Sequence, residues 1–290
     1  MHRGAERFTF LRCRRCDLVY LSPRVGAAAL DRYYDASYLP HRGAPAWGRF
    51  ARFATEGQRR TDKARVRLAR EAAPLGDGSA VLDVGCGQPS FLEVLVRATG
   101  ARGVGVDPSD AGWAREPTRW SSAGLTLRKG AVPDALGDGP FDLLTMWHAL
   151  EHDYQPLETL RLLRGAVRPG GALLIEVPDY DSLTRSLHGD SWAGFHTPRH
   201  TAAYTRATLR AMLERAGWSV ERQQRHGTLD PYILYWLGRQ ERAGRSLDGN
   251  LEAAFPWFML GKVLTLPIVL AQRWISLGVQ VAVARAPAPR

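Results

Sequence analysis

The sequence predicts an α/β protein built on an open, mostly parallel sheet with helices on both faces. Short apolar runs alternate with helix-like segments from residue 79 to about residue 217, as they do where helical crossovers join parallel strands. The chain has 290 residues, 45% of them hydrophobic, which is enough for one large core and some accessory segments. A glycine-rich turn, Gly85-Cys86-Gly87, directly follows the first strand-like run.

Six apolar runs have the length and composition of strands. We place these strands at residues 80–84, 103–107, 125–128, 141–147, 172–177 and 218–223. Between the fourth and fifth, leucines recur at helical spacing from Pro156 to Val167 and stop at Arg168-Pro169-Gly170-Gly171, which predicts a helix ended by a turn. Residues 57–73 alternate arginine with small apolar residues, and this predicts a surface helix leading into the first strand.

The first two strands carry a nucleotide-type binding motif. Gly85 and Gly87 let the backbone approach a ligand, and a helix is expected to begin near Pro89, whose missing N–H suits the first helical position. Asp107 ends the second strand, 24 residues after Asp83, where a carboxylate can accept hydrogen bonds from both ribose hydroxyls. The motif predicts a βαβ unit that binds an adenosine-containing ligand.

Four sequence blocks, in this order, resemble class I S-adenosylmethionine-dependent methyltransferases. They are VLDVGCG at 81–87, GVGVDPS at 103–109, FDLLTMWHALEH at 141–152 and RPGGALLIEVPD at 168–179. The resemblance implies a Rossmann-like methyltransferase fold with a seven-stranded sheet, and S-adenosyl-L-methionine rather than NAD as the cofactor. The cofactor-binding residues that it implies are Asp83, Gly85, Cys86, Gly87, Asp107, Pro108 and Trp147.

Two positions depart from the family pattern. Pro89 stands where relatives usually have a third glycine in the loop. Ala131 follows the third strand, where many relatives carry an acidic residue that faces the adenine amino group, and Asp134 is nearby but shifted. We therefore expect backbone groups to recognise adenine.

The fourth strand is expected to deliver the catalytic groups, because ligands of open α/β sheets bind at the carboxyl ends of the strands. His148 follows this strand, with Glu151 and His152 one turn further on. Neutral histidine can take a proton at physiological pH, so His148 is the first candidate base and His152 the second. Alternatively, this segment only shapes the cofactor pocket. We predict no metal, since no dense carboxylate cluster accompanies Glu151 and His152.

A second histidine group lies on the long connection after the fifth strand, where loops of this fold commonly form an acceptor pocket. Its sequence, WAGFHTPRH, is similar to a segment of the same methyltransferase subgroup. Trp192 and Phe195 are predicted to stack on an acceptor ring, and Arg199 to hold a phosphate or carboxylate. His196 and His200 are further candidates for contact with the acceptor or for the base. Alternatively, His200 ties the loop to the next helix.

Residues 1–56 read as an N-terminal appendage. Cys13 and Cys16 are spaced like half of a zinc ribbon, but a closed zinc site needs four ligands, so a zinc-free knuckle is the simpler interpretation. Some methyltransferases similar to this one begin with a full ribbon followed by Ser-Pro-Arg, as at 22–24 here, and that subgroup implies polysaccharide or secondary-metabolite acceptors. A run of aromatic residues is expected either to form a cap over the substrate side or, as the simpler interpretation, to pack on the core. These residues are Tyr33, Tyr34, Tyr38, Trp47, Phe50 and Phe53.

The C-terminal part contains an apolar stretch at residues 255–271 that is interrupted by Pro256, Lys262 and Pro267. It is too short and interrupted for a confident membrane span. A helix lying in the membrane interface and burial against the core or in a homodimer contact both remain open. Residues 278–285 resemble the antiparallel last strand of the methyltransferase sheet. We therefore divide the chain into appendage (1–56), core (57–223), helical insertion (224–277) and last strand with tail (278–290).

The formal net charge of +10 is carried almost entirely by arginine. A GC-rich coding bias explains much of it, and no compact basic and aromatic recognition module is visible, so we predict no nucleic-acid partner. Anionic membranes and phosphate-bearing substrates suit a basic protein. Three cysteines and the lack of a secretion signal favour a cytoplasmic protein, with peripheral contact at the inner face of the membrane as an alternative.

The sequence therefore predicts a methyltransferase that acts on a small-molecule or glycan acceptor. Oxygen is the expected acceptor atom, because several histidines surround the predicted site. Two alternatives stay open. One is a membrane-associated lipid or quinone methyltransferase that docks through residues 255–277. The other is a non-catalytic cofactor-binding scaffold, suggested by Pro89 and Ala131.

Overall fold

The computed structural model describes residues 7–33, 42–245 and 249–287. The chain forms two compact units. The core unit comprises Thr61–Val177, Leu209–Gln224 and Val281–Arg290, and the accessory unit comprises Met1–Arg60, Pro178–Thr208 and Arg225–Gln280. The main difference from the predicted segments is that residues 178–208 group with the appendage and the insertion.

Helices and strands alternate through the core unit, as the sequence pattern predicts. The strands are β1 (Phe10–Arg12), β2 (Val19–Leu21), β3 (Ala80–Val84), β4 (Arg102–Asp107), β5 (Leu125–Lys129), β6 (Phe141–Trp147), β7 (Val167–Pro178), β8 (Ala202–Ala203), β9 (Ser219–Gln224) and β10 (Val279–Arg285). The helices are α1 (Ala27–Leu30), α2 (Ala51–Ala72), α3 (Ser90–Thr99), α4 (Pro117–Ser122), α5 (Pro133–Leu136), α6 (Pro156–Ala166), α7 (Leu183–His188), α8 (Arg206–Arg215), α9 (Pro231–Arg242), α10 (Phe255–Leu264) and α11 (Leu266–Leu270).

The core unit is built on a seven-stranded sheet in the order β5-β4-β3-β6-β7-β10-β9. Strand β3 pairs in parallel with β4 and β6, while β10 runs antiparallel to β9. The predicted α/β class and the antiparallel last strand are therefore confirmed. Because β3 lies at the centre, the loop that follows it opens at the carboxyl edge between two parallel neighbours, where ligands of such sheets bind.

Helix α3 packs on β4 because glycines leave room for it. A Cβ added at Gly103 would come within 2.8 Å of Val96 and 2.9 Å of Leu125, so a larger residue there would force these side chains to move. Leu92 and Leu95 of α3 are fully buried at this contact. Burying each leucine contributes about 1.5–3 kcal/mol. Gly100 ends the helix in the left-handed conformation, at φ 75°.

Three local expectations were off by a few residues. Helix α2 begins at Ala51, six residues earlier than predicted. Pro89 occupies the N-cap of α3, one position before the first helical residue. The residues of the expected turn at 168–171 instead extend β7, because Gly170 N donates to the Ala286 carbonyl and Ala286 N to the Gly171 carbonyl.

The accessory unit contains a three-stranded sheet in the order β1-β2-β8, with both pairings antiparallel. Cys13 and Cys16 lie at the turn between β1 and β2, and both are free thiols. Backbone hydrogen bonds from Arg15 and Cys16 lower the pKa of the Cys13 thiol. Within the described residues, no cluster of three metal-ligating side chains includes either cysteine, so the zinc-ribbon relationship stays a prediction.

Aromatic side chains form a separate core in the accessory unit. Ala46, Tyr232, Trp236 and Phe258 are buried together, with Trp47 packed against them. Trp47 therefore packs within the accessory unit, and packing of the aromatic segment on the core stays a prediction. Tyr34 and Tyr38 lie outside the described residues.

Candidate cofactor and active site

The loop after β3 has the backbone conformation that its glycines permit. Gly85 and Gly87 adopt φ 72° and φ 47°, in the left-handed region where side chains are strained. A Cβ on Gly85 would lie 2.7 Å from the Ala149 Cβ, whereas a Cβ on Gly87 would meet nothing within 4 Å. Gly85 therefore allows close packing, and Gly87 borders open space that a ligand can fill.

Asp107 fastens this loop to the end of β4. Its Oδ2 accepts a hydrogen bond from Gly87 N at 3.0 Å, and its Oδ1 accepts one from Ser109 N at 2.9 Å. Gly85 N also donates to the Val106 carbonyl at 2.8 Å. The carboxylate is half-buried beside the open space at Gly87. It therefore lies where the sequence predicts a ribose acceptor, next to the exposed Pro108.

Two further predicted cofactor residues are buried. Asp83 accepts a hydrogen bond from the Thr145 hydroxyl at 2.6 Å, and burial raises the pKa of its carboxyl to about 7. Burial likewise raises the pKa of the Cys86 thiol, mainly by disfavouring the thiolate. Cys86 supports the loop as a small apolar residue packed toward Gly105.

Gly112 is a loop residue that sequence reasoning missed. A Cβ at Gly112 would collide with the Gly87 carbonyl and lie 2.7 Å from Gln88 N. The turn that contains Gly112 therefore rests directly on the glycine loop, 25 residues earlier in the chain. Only the spatial approach of two backbones reveals this requirement.

We expect Gly112→Ala to weaken cofactor binding about tenfold, because the added methyl must displace the Gly87 backbone. Calorimetric titration with S-adenosylmethionine measures the effect. Gly137→Ala is the matched control, since a Cβ there meets nothing within 4 Å. Equal affinities for the two variants would mean that the glycine loop adapts freely.

The loop after β5 is closed by its own carboxylate. Asp134 Oδ2 accepts a hydrogen bond from Ala131 N at 2.8 Å. The shifted acidic residue therefore supports the backbone at the position where relatives carry their acid. Adenine recognition through backbone groups stays a prediction.

Trp147 belongs to the core of its unit. It is 6% exposed, and its ring meets Phe91 edge-on with centroids 5.3 Å apart. The Arg65 guanidinium lies 5.0 Å from the ring centroid. These contacts explain its burial without a ligand, and its predicted role in cofactor binding remains a prediction.

His148 sits between two buried glutamates at the end of β6. Its Nε2 lies 2.9 Å from Glu176 Oε1, and its Nδ1 lies 3.4 Å from Glu151 Oε1. His148 N also donates to the Glu176 carbonyl at 2.8 Å. The residue adopts φ 55°, a strained conformation for a histidine. Strain of this kind concentrates at functional sites.

The two glutamates control the charge of His148. Burial lowers the pKa of the imidazole, but the hydrogen bonds and negative charges of Glu151 and Glu176 outweigh it and raise the pKa to about 9. The ring is therefore cationic at neutral pH, contrary to the ordinary pKa assumed from the sequence. A proton acceptor at this position must first lose that proton.

Glu176 is the second site residue that the sequence reasoning did not single out. A signal was present, because Glu176 is the one charge within the apolar run Ala172 to Pro178. A buried charge requires a partner. His152, the second candidate base, is half-buried in the turn Leu150–His152 that follows His148.

The residues predicted to bind the acceptor lie in the accessory unit. Trp192 is 1% exposed and its indole N–H donates to the Thr184 hydroxyl at 3.2 Å. The Phe195 ring lies 4.5 Å from the Phe10 ring. Both aromatic rings belong to one buried cluster, so the structure places them in the unit's core rather than on an open face.

Arg199 and His200 brace the same loop. Arg199 is 3% exposed, and its Nε donates to the Tyr33 carbonyl. Its guanidinium also lies 3.2 Å from His196 Nε2. The His200 Nδ1 lies 2.8 Å from the Gly194 carbonyl. These contacts tie Arg199 to the fold, and its predicted role of holding a phosphate or carboxylate stays a prediction. The His200 contact fits the alternative of a loop tie.

A family profile described as "Methyltransferase domain" matches residues 54–223. That match covers more than half of the chain. The chain belongs to this methyltransferase family. S-adenosylmethionine is therefore the cofactor of the domain, and the Rossmann-like fold is that of the family.

Curated relatives match only part of this chain. A ubiquinone biosynthesis O-methyltransferase of Xanthomonas campestris is 35% identical over 37% of this chain and 45% of the relative. A trans-aconitate 2-methyltransferase of Azoarcus is 36% identical over 49% of this chain and 55% of the relative. The chain thus spans about half the length of these relatives. Their names also show that similar domains serve different acceptors.

A solved structure is similar over a longer range. The 1,6-didemethyltoxoflavin-N1-methyltransferase of Burkholderia thailandensis, with bound 1,6-didemethyltoxoflavin and S-adenosylhomocysteine, superposes with a TM-score of 0.54. It covers 93% of this chain and 95% of its own at 14% identity. At that identity the similarity establishes the fold of the methyltransferase.

The residues present fit the cofactor. The open space at Gly87 and the adjacent Asp107 carboxylate provide the backbone approach and the hydroxyl acceptor that an adenosyl group needs. Gly87 and Asp107 would hold the ribose side. When bound, the cofactor would supply a methyl group activated by its sulfonium charge.

Proposed function

We propose that the protein transfers the methyl group of S-adenosylmethionine to an oxygen atom of a small-molecule or glycan acceptor. The observation that supports this proposal most strongly is His148, held by Glu151 and Glu176 at the carboxyl end of β6. The cofactor supplies a methyl group already activated by its sulfonium charge. The chain's own residues must then orient the acceptor and remove the hydroxyl proton.

His148 is the proposed proton acceptor. The neighbouring carboxylates fix the orientation of its ring and increase its basicity, because they stabilise the imidazolium product. Once deprotonated, such a histidine is a stronger base than an ordinary one. The cost is that only a small fraction is deprotonated at pH 7. Methyl transfer is therefore expected to accelerate as the pH rises.

We expect kcat/KM with a hydroxyl acceptor to increase with pH until about pH 9, where His148 titrates in the free enzyme. Glu176→Gln should shift this inflection to lower pH, because it removes a negative charge beside the ring. His148→Asn should lower turnover by about 10²- to 10⁴-fold while cofactor affinity stays nearly unchanged. Asparagine is chosen because it tolerates the positive φ.

The experiment is a methyl-transfer assay with labelled cofactor against sugars, phenols and secondary metabolites, followed by the pH profile on the best acceptor. Product analysis identifies the methylated atom. An N- or C-methylated product would contradict oxygen as the acceptor atom, and a fully active His148→Asn enzyme would remove His148 from the mechanism. Cofactor binding without turnover on any acceptor would favour the non-catalytic scaffold.

A lipophilic acceptor, such as a lipid or quinone, is the second candidate. The exposed apolar residues of α10 and α11 favour it, because they provide a surface that such acceptors and their membranes prefer. The similarity to a protein named ubiquinone biosynthesis O-methyltransferase supports it too. Faster methylation of a short-chain quinol than of any sugar would decide for this candidate.

A further inference from the structure

Helices α10 and α11 and the residues that follow them expose many large apolar side chains. Trp257 is 73% exposed and Leu264 is 70% exposed, values typical of polar residues. We define the apolar surface as Trp257, Met259, Leu260, Val263, Leu264, Leu266, Ile268, Leu270, Trp274 and Ile275, all of which are at least 38% exposed. Soluble monomers rarely leave so many large apolar side chains together in water.

The opposite side of α10 is fixed to the accessory unit. Phe258 is 8% exposed, and its ring lies 5.3 Å from Trp47 and 5.5 Å from Trp236. Gly261 lets α10 approach Tyr232 of α9, because a Cβ there would collide with the tyrosine hydroxyl. Burial against the unit's core, one of the options from the sequence, thus applies to one side of the helix only.

By length and hydropathy, no single described helix here is suited to cross a membrane. Residues 252–264 and 266–273 meet the length and hydropathy criteria for a membrane span only as a pair, with a 55° bend between them. Because the Phe258 side packs on protein, the pair cannot be surrounded by lipid. An apolar outer side on an anchored helix suits insertion into the headgroup boundary.

Basic side chains rim the apolar surface. The Arg273 guanidinium lies 4.3 Å from the Trp274 ring centroid, and Arg225 donates to the Trp274 carbonyl at 2.9 Å. At the other end, the Arg52 guanidinium lies 4.9 Å from the ring centroid of Phe53, a residue that is 47% exposed. The ring centroids of Phe53 and Phe255 are 5.5 Å apart.

Two carboxylates near this rim are paired with basic residues. Glu252 binds Arg49 at 3.1 Å, and Asp230 binds Lys262. Among the described residues, Arg52, Arg225 and Arg273 add positive charge around the apolar residues. Two exposed tryptophans stand near opposite ends of the stretch, at 257 and 274. Tryptophan and arginine at such positions match the boundary between headgroups and acyl chains.

We propose that this apolar surface docks the protein on an anionic lipid bilayer, inserting Trp257, Leu264 and their neighbours at the headgroup boundary while the arginines bind lipid phosphates. The occupant is a bilayer because the exposed residues are apolar at the centre and cationic at the rim. This combination complements acyl chains below and negative headgroups around them. Docking does not depend on methyl transfer.

The test is co-sedimentation of the full chain with vesicles of phosphatidylcholine containing phosphatidylglycerol, compared with pure phosphatidylcholine. We expect binding that requires the anionic lipid and weakens with salt. The double variant Trp257→Asp, Leu264→Asp should lower the apparent vesicle affinity about tenfold or more, since it replaces inserted apolar surface with like charge. Cofactor binding, measured in parallel, should stay unchanged and report that the variant folds.

The matched control is Leu162→Asp, Leu187→Asp, which changes two exposed leucines outside the apolar surface. This control should bind vesicles like the original protein. Absence of vesicle binding by the original chain would overturn the proposal, as would equal losses in both double variants. A concentration-dependent dimer that the Trp257 variant dissociates would show that a second copy covers the surface. Resistance to alkaline carbonate extraction would instead indicate a spanning segment.

Discussion

Asp107→Asn is expected to weaken S-adenosylmethionine binding by about 1.5–3 kcal/mol, roughly ten- to more than a hundredfold in affinity. The carboxylate is proposed to accept hydrogen bonds from the ribose hydroxyls, and it also holds Gly87 N at 3.0 Å. The amide keeps the shape but loses the charge and one acceptor. The substitution therefore weakens both the ribose contact and the hydrogen bond that positions the glycine loop.

Isothermal titration with S-adenosylmethionine measures this loss, and thermal unfolding checks that the variant is folded. Asp138→Asn is the control, because the Asp138 carboxylate is engaged with Arg128 through two hydrogen bonds of 3.0 Å. An Asp107 variant that binds the cofactor as tightly as the control would show that the ribose lies elsewhere.

Raising the pH from 7.5 to 10 is expected to destabilise the fold through His148. Its pKa is raised from 6.5 to about 9, so the folded state binds this proton more tightly than the unfolded chain does. The associated stability is fully present below pH 6.5 and is lost as the pH rises through about 9. A shift of this size corresponds to a full loss on the order of 3 kcal/mol, of which about 2 kcal/mol falls between pH 7.5 and 10.

Urea unfolding at several pH values tests this expectation. Asp83 adds no further slope in this window, because its raised pKa of about 7 places its loss of stability at lower pH. His148→Asn should remove most of the pH dependence between pH 7.5 and 8.5; at higher pH the buried Cys86 thiol, whose pKa is raised, adds its own loss of stability.

His196→Asn is the control, since His196 also has a positive φ, 36°, and contacts Arg199. If stability fell with pH equally steeply in both variants, the proposed effect of Glu151 and Glu176 on the pKa of His148 would be contradicted.

The cofactor loop could be predicted from the sequence because the backbone conformations that it needs depend on a few neighbouring residues. Gly85 and Gly87 supply positive φ within three residues, and Asp107 follows a recognisable strand. The apolar runs likewise located β3 and β6 to the residue, since a central parallel strand is buried on both faces and its sequence shows it.

Other site features depend on contacts between distant segments. Glu176 meets His148 across 28 residues, and Thr145 meets Asp83 across 62. No periodicity encodes such pairs. By their chemistry alone, Trp192 and Arg199 could contact a ligand or support the fold, and only the tertiary structure shows that both side chains are buried.

The sequence by itself determined the family, the order of strands along the chain and the cofactor motif, because these follow from backbone conformation and from hydrophobic periodicity over a few residues. Only the tertiary structure decided the charge of His148, the close approach of Gly112 to the glycine loop and the exposure of α10 and α11. The physical reason is that pKa, steric fit and solvent exposure depend on which distant groups surround a residue.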